Sequence, residues 1–135
     1  MGKLEGLRRE DGFTLIELLI VLVILGILLG IAVPAYLGFK DRAANRSAQA
    51  DIRAAIPSAE AYYESNNHYT GMTHAGLKAI DAGLSGAVTV VSADTTTSGY
   101  CLSATIGGKS WAVKGPGATG WYQSTDCHST SAVSP

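Results

Sequence analysis

Gly12-Phe13-Thr14-Leu15-Ile16-Glu17 leads into a run, Leu18 to Phe39, in which no side chain is charged. At about 1.5 Å per helical residue, a run of that length crosses the roughly 30 Å hydrocarbon core of a bilayer. Glu17 is the single carboxylate at its edge. Placing an unpaired acidic side chain in such a helix costs upwards of about 3 kcal/mol. An acid retained there calls for a positive partner.

The same six residues supply one. Cleavage after Gly12 would make Phe13 the amino terminus, an ammonium one helical turn from Glu17, which a neighbouring copy can offer to this carboxylate. Gly12 followed by Phe13-Thr14-Leu15-Ile16-Glu17-Leu18-Leu19-Ile20-Val21 resembles the leader junction of type IV pilins and of the pseudopilins of type II secretion. The resemblance implies that a membrane-embedded prepilin peptidase cuts after Gly12 and methylates the amine of Phe13, and that Glu17 guides filament assembly. An ordinary uncleaved anchor, with Glu17 at headgroup level, is the plainer alternative, but it does not demand these residues in this order. A secretory signal peptide fits worse, because its apolar core would be shorter and would end in small residues.

The segment before the junction departs from a strongly basic leader. Lys3, Arg8 and Arg9 are balanced by Glu5, Glu10 and Asp11, while Lys40, Arg42 and Arg46 flank the far side. Positive residues therefore do not set the orientation. A cytoplasmic leader and an exported carboxyl-terminal domain follow from the resemblance.

The expected architecture is α+β and type IV pilin-like: a long amino-terminal helix packed on a small antiparallel sheet. Its expected parts are a leader over 1–12, an apolar membrane and filament-core helix over 13–39, an amphipathic half over 40–66, and a carboxyl-terminal domain over 67–135. Gly26, Gly30 and Pro34 are a candidate helix break, since proline removes a backbone donor and glycine adds backbone freedom. Filaments of the resembling family are often extended there; a mild kink in an unbroken helix is the alternative. Beyond Pro34, Leu37, Ala44, Ala48, Ile52, Ile56, Ala59 and Tyr63 recur at spacings of three, four or seven and mark one buried stripe. Arg42, Arg46, Gln49, Arg53, Glu60 and Glu64 are assigned to the opposite, polar stripe. Pro57 lies in line with the polar stripe, and the helix should end near Asn66, where Asn66-Asn67-His68-Tyr69-Thr70-Gly71 has exit-loop chemistry.

Downstream, Thr73 to Leu84 is expected to hold a short helix or ordered loop. Strand propensity marks Ala87 to Ser92, Tyr100 to Ile106, Ser110 to Val113 and Gly120 to Gln123. Gly107-Gly108 signals a hairpin, and Gly115-Pro116-Gly117 a turn. Ser124 to Pro135 reads as turn and tail, poorly fixed beyond Cys127. In an exported domain this small, Cys101 and Cys127 are best read as one disulfide, and the resembling pilins often carry such a bridge.

With 135 residues and a net charge of −1, the chain is one small domain and its apolar stalk, with no field strong enough to gather nucleic acid. His68, His74 and His128 fall on different loops, and no glycine-rich phosphate cradle follows a strand, so an enzyme is not expected. Asp126-Cys127-His128 hints at metal ligation. A disulfide would use up Cys127, however, leaving two ligands where structural zinc wants four, so neither metal nor cofactor is expected. Trp111, Trp121 and Tyr122 are expected to pack against the helix rather than form a sticky patch.

The resemblance then implies a structural subunit, the major pilin of a type IV pilus, for attachment, twitching motility or DNA uptake. Its partners would be further copies of itself, the prepilin peptidase, the assembly platform with its ATPase, and membrane lipid before assembly. It would start as a single-pass inner or plasma membrane precursor and end in an extracellular filament. A major pseudopilin of type II secretion is the alternative, disfavoured because Asp126 is the only acid after Asp94, too few for the usual calcium loop, and because the cysteine pair is present. A membrane-anchored adhesin that never polymerises is the third reading.

Overall fold

A computed structural model describes residues 12–135. The expected leader therefore lies, apart from Gly12, outside the described residues. The chain divides between Gly38 and Phe39 into two compact units. One helix, α1, runs Leu15–Asn66. It is followed by a short helix α2, His74–Ile80, and by four strands: β1 Val88–Val90, β2 Tyr100–Ile106, β3 Lys109–Gly115 and β4 Gly120–Tyr122. The architecture is α+β, a long amino-terminal helix packed on a small antiparallel sheet, as the patterning predicts.

Of the two alternatives for Gly26, Gly30 and Pro34, an extended segment or an unbroken helix, the subunit has the unbroken helix. Pro34 withholds one donor from the carbonyl of Gly30, but unbroken turns of leucine, isoleucine, valine and alanine on both sides carry the ladder past that gap. A methyl group added at Gly26 or Gly30 would meet nothing within 4 Å, so neither glycine serves a close approach inside the subunit.

From Ala44 onward α1 buries one face, formed by Ala44, Ala48, Gln49, Ile52, Ala55, Ser58 and Ala59. Small residues dominate because they let the sheet come close to the helix backbone. Two assignments to the polar stripe need correcting. Gln49 is only 5% exposed, and Glu60 is partly buried, its Oε2 accepting from the Tyr69 hydroxyl at 2.8 Å and its Oε1 from the Tyr100 hydroxyl at 2.9 Å. A carboxylate on the inner edge of a helix is tolerated once donors meet it. Burial first, and then the bond to Glu60, push both tyrosine hydroxyls above their ordinary range. Tyr63, assigned to the buried stripe, is exposed, although its ring lies 4.8 Å from that of Tyr69.

The sheet is a meander of order β1-β2-β3-β4, every pair antiparallel. Gly107 and Gly108, at φ 54° and 77°, close the β2–β3 hairpin in a conformation that side chains resist. On the face toward α1, Tyr100, Leu102, Ala104, Trp111, Val113 and Trp121 join Ile52, Ala55 and Ala59 in the main core. The Trp111 indole N–H donates to Asn45 Oδ1 at 2.9 Å, and the Arg53 guanidinium sits 5.1 Å above the Trp121 ring, two ties from helix to sheet. On the opposite face Cys101, Ala112 and Cys127 form a second cluster with Val91 and Tyr122. Tyr122 therefore packs on the far side of the sheet, not against the helix.

Gly115 is required for a reason its turn setting did not suggest. A Cβ there would come within 2.1 Å of the Tyr100 ring, which lies across it from the paired strand. The tail also departs from expectation: Val133 donates to the Trp121 carbonyl at 2.7 Å and bridges β4, so the chain beyond Cys127 returns to the sheet edge.

Candidate functional site: the amino-terminal segment and the disulfide loop

Phe13 is 88% exposed, and large aliphatic side chains from Leu15 to Leu37 are about half exposed or more. Among the described residues α1 is the one helix long and apolar enough to cross a membrane. A helix apolar on every face and covered on none needs lipid or other protein around it.

At its start Thr14 and Glu17 cap each other. The Glu17 N–H donates to Thr14 Oγ1 at 3.3 Å, while the Thr14 N–H and hydroxyl donate to Glu17 Oε2 at 2.9 and 3.0 Å. This is the reciprocal capping box of Thr-x-x-Glu before an apolar run. The i, i+3 spacing of Thr14 and Glu17 carried that signal, and reading Glu17 only as an acid waiting for an ammonium missed it. Cleavage after Gly12 would leave both members of the box in the mature chain. One carboxylate oxygen does the capping; among the described residues Oε1 has no partner. Gly12, Phe13 and Glu17 thus sit together at an exposed helix start, while Gly26, Gly30 and Pro34 lie inside the helix.

The second cluster surrounds the disulfide. Cys101 in β2 is bonded to Cys127, 26 residues later, with Cα atoms 6.0 Å apart. Asp94 anchors the far side of the bridge: its Oδ2 accepts from the Cys127 N–H at 3.0 Å, and His128 Nδ1 lies 2.8 Å from its Oδ1. Asp126 accepts from the hydroxyl and backbone N–H of Ser129, and more weakly from the His128 N–H. The Ser129 bonds hold its carboxyl at about 2, below the usual range. Asp94, Asp126 and His128 do bring ligand atoms within 4.8 Å of one another. Their bonds are already those of a tied loop, and the donors stand at two oxygens and one ring nitrogen. His68 follows α1 and His74 opens α2, so the three histidines do not converge on one site.

A family model for the prokaryotic N-terminal methylation motif matches residues 7–33. The type IV wide pilus major component PilA4 of Thermus thermophilus is 34% identical over 123 residues, covering 88% of this chain and 84% of that protein. Type II secretion system core protein G of Aeromonas hydrophila is 42% identical over 73 residues, 54% of this chain and 50% of its own length. The same protein of Escherichia coli is 36% identical over 72 residues, 53% and 49%. This chain thus spans about half the length of the secretion proteins it matches. No catalytic family is indicated.

Proposed function

Since the chain belongs to the superfamily of type IV pilins and type II secretion pseudopilins, we propose that it is the major structural subunit of a type IV pilus. The observation that carries the choice is the reach of the likeness. With the pilus component it extends over 88% of this chain, whereas with the secretion core protein it extends over 54%. The cysteine pair and the scarcity of acids near the carboxyl terminus point the same way. The pseudopilin reading keeps one specific support, the higher identity within its shorter match, 42% against 34%.

In this reading residues 1–12 are a leader, 13–39 the membrane and filament-core segment, 40–66 the helix half that carries the sheet, and 67–135 the surface domain. A prepilin peptidase cuts after Gly12 and methylates Phe13. The capping box keeps the helix start formed once the leader is gone. Glu17, through the oxygen the cap leaves over, takes the ammonium of Phe13 from an adjacent copy, a charge pair strengthened by low-dielectric surroundings. The assembly platform and its ATPase drive the transfer, and the filament carries attachment, twitching motility or DNA uptake outside the cell.

Energetics suit a subunit stored in lipid and then polymerised. Roughly ten large aliphatics at about 2 kcal/mol each would face water if the apolar segment left the bilayer alone. Lipid tails are about as apolar as leucine, so lateral association within the bilayer gains little from burial. Once extruded, the stalks must cover one another.

Fibres sheared from cells should consist of a subunit beginning at N-methylated Phe13. Glu17→Ala should insert normally and yield fewer fibres by at least roughly tenfold, the loss expected for a buried charge left without its partner. A fibre subunit beginning at Met1, or wild-type fibre yield from Glu17→Ala, would overturn the proposal. Secretion loss with no surface fibres would favour the pseudopilin.

A further inference from the structure

The carboxylates of residues 39–135 are almost all engaged. Asp41 pairs with Lys109 at 3.0 Å. Asp51 accepts from Ser85 at 2.7 Å and Asp81 from the Gly83 N–H at 2.9 Å. Glu60 holds Tyr69 and Tyr100, Asp94 holds Cys127 and His128, and Asp126 holds Ser129. Glu64, exposed in the last turns of α1, is the exception among the described residues, with no hydrogen bond or ion pair.

On the same helix Arg42 and Arg46, one turn apart and exposed, have no carboxylate partner among the described residues, whereas Arg53 is occupied by the Trp121 ring. Glu64 lies 18 residues beyond Arg46, about 27 Å along a helix. That is far beyond side-chain reach, so these charges cannot neutralise one another within one subunit. An open helical polymer needs two different, mutually complementary patches on each copy, one for each neighbour. A cationic patch at one end of the amphipathic helix and an anionic one at the other meet that requirement.

We propose that Arg42 and Arg46 of one copy bind Glu64 of a second copy, displaced along the helix direction by about 27 Å. The inference rests on the filament reading and adds a partner residue and a register to it. The contact lies in the water-exposed part of α1 and is therefore salt-sensitive, unlike the pairing of Glu17 in the apolar segment. It selects register and suppresses wrong neighbours more than it adds cohesion.

The test is charge reversal in the full-length chain, scored as fibres sheared from cells, with wild-type fibres alongside. Arg46→Glu and Glu64→Arg should each reduce fibre yield by roughly tenfold, since reversal puts like charges together. The double variant R46E/E64R should restore at least half. Intact Cys101–Cys127 bonding and unchanged melting of each variant in detergent show that the exported unit still folds. Single variants that assemble at wild-type yield would overturn the inference, as would a double variant no better than either single one. A defect in Arg46→Glu that Glu64→Arg neither mimics nor repairs would overturn it too and assign the arginines to anionic lipid headgroups. Absence of wild-type fibres would instead defeat the filament reading itself.

Discussion

Residues 15–38 and 44–59 belong to one α-helix, yet they solve opposite problems. Isoleucine shows it most directly: Ile24 is 51% exposed and Ile52 is 0% exposed. The first stretch is apolar on all sides and buries nothing within the subunit. The second is apolar on one side and is covered by β2, β3 and β4. Backbone hydrogen bonding is common to both, so it does not distinguish them; periodicity of side chains does. Apolarity all round requires a partner from outside the chain, and apolarity on one stripe is satisfied by the chain's own sheet.

The sharpest way to break this contrast is a matched pair. Ile52→Ala should lower the stability of the unit over residues 39–135 by about 4 kcal/mol, through lost transfer energy and an unfilled cavity. Ile24→Ala should change it by less than about 0.5 kcal/mol, the scale of substitutions that touch no core. Thermal melting of the full chain in detergent, followed through the tryptophans, measures both. Equal costs would mean that the apolar segment contributes to the same cooperative core.

Cys127→Ser tests whether the covered half depends on the far face of its sheet. Freeing a 26-residue loop should cost about 3 kcal/mol. The loss should show under oxidising conditions and vanish when both proteins are reduced. Thr14→Ala probes the exposed half on its own terms. Removing the hydroxyl cap should cost about 1 kcal/mol and act only locally. Faster amide exchange at residues 15–18 in micelles, with unchanged exchange at 52–59, is the expected pattern.

The smallest effect is set by pH. The Asp126 carboxyl is lowered from 3.8 to about 2 by Ser129. Its stabilising contribution is therefore full above 3.8 and is lost as pH falls toward about 2. Asp126→Asn should lower the melting temperature slightly at neutral pH, where that contribution is full, and flatten the profile across the acid window, the two proteins converging toward a pH of about 2. A steeper acid transition in the variant would contradict the assignment. Tyr69 and Tyr100, with hydroxyls shifted upward, give the mirror case: their contribution is complete below about 10 and declines as pH rises further.

Much of the fold was legible because its signals are local. The uncharged run, the stripe of Ala48, Ile52 and Ala59, the helix exit at Asn66 and the turn at Gly107-Gly108 each follow from the period or dihedral freedom of a few neighbouring residues. Misreadings arose where a residue's neighbour is distant in sequence. Glu60 looked solvent-facing because nothing local reveals that Tyr69 and Tyr100 supply its donors. Gly115 looked like turn chemistry because the Tyr100 ring that excludes a side chain comes from another strand. Thr14 and Glu17 were an exception, a local signal present in the spacing and overlooked because the acid was weighed for its charge alone.

By itself the amino-acid sequence determined that a membrane-length apolar helix follows a cleavable-looking junction, that an amphipathic continuation must find a sheet, and that two cysteines lie close together in sequence in the carboxyl-terminal part. Those properties depend on composition and period, which survive without knowledge of contacts. Only the tertiary structure decided which carboxylates of residues 39–135 are consumed inside the subunit, that Glu64 has no partner among the described residues, and that Tyr122 packs opposite to Trp111 and Trp121. The reason is physical: a charge or a ring is satisfied by whatever lies within a few ångströms in space, and chain order does not encode that distance.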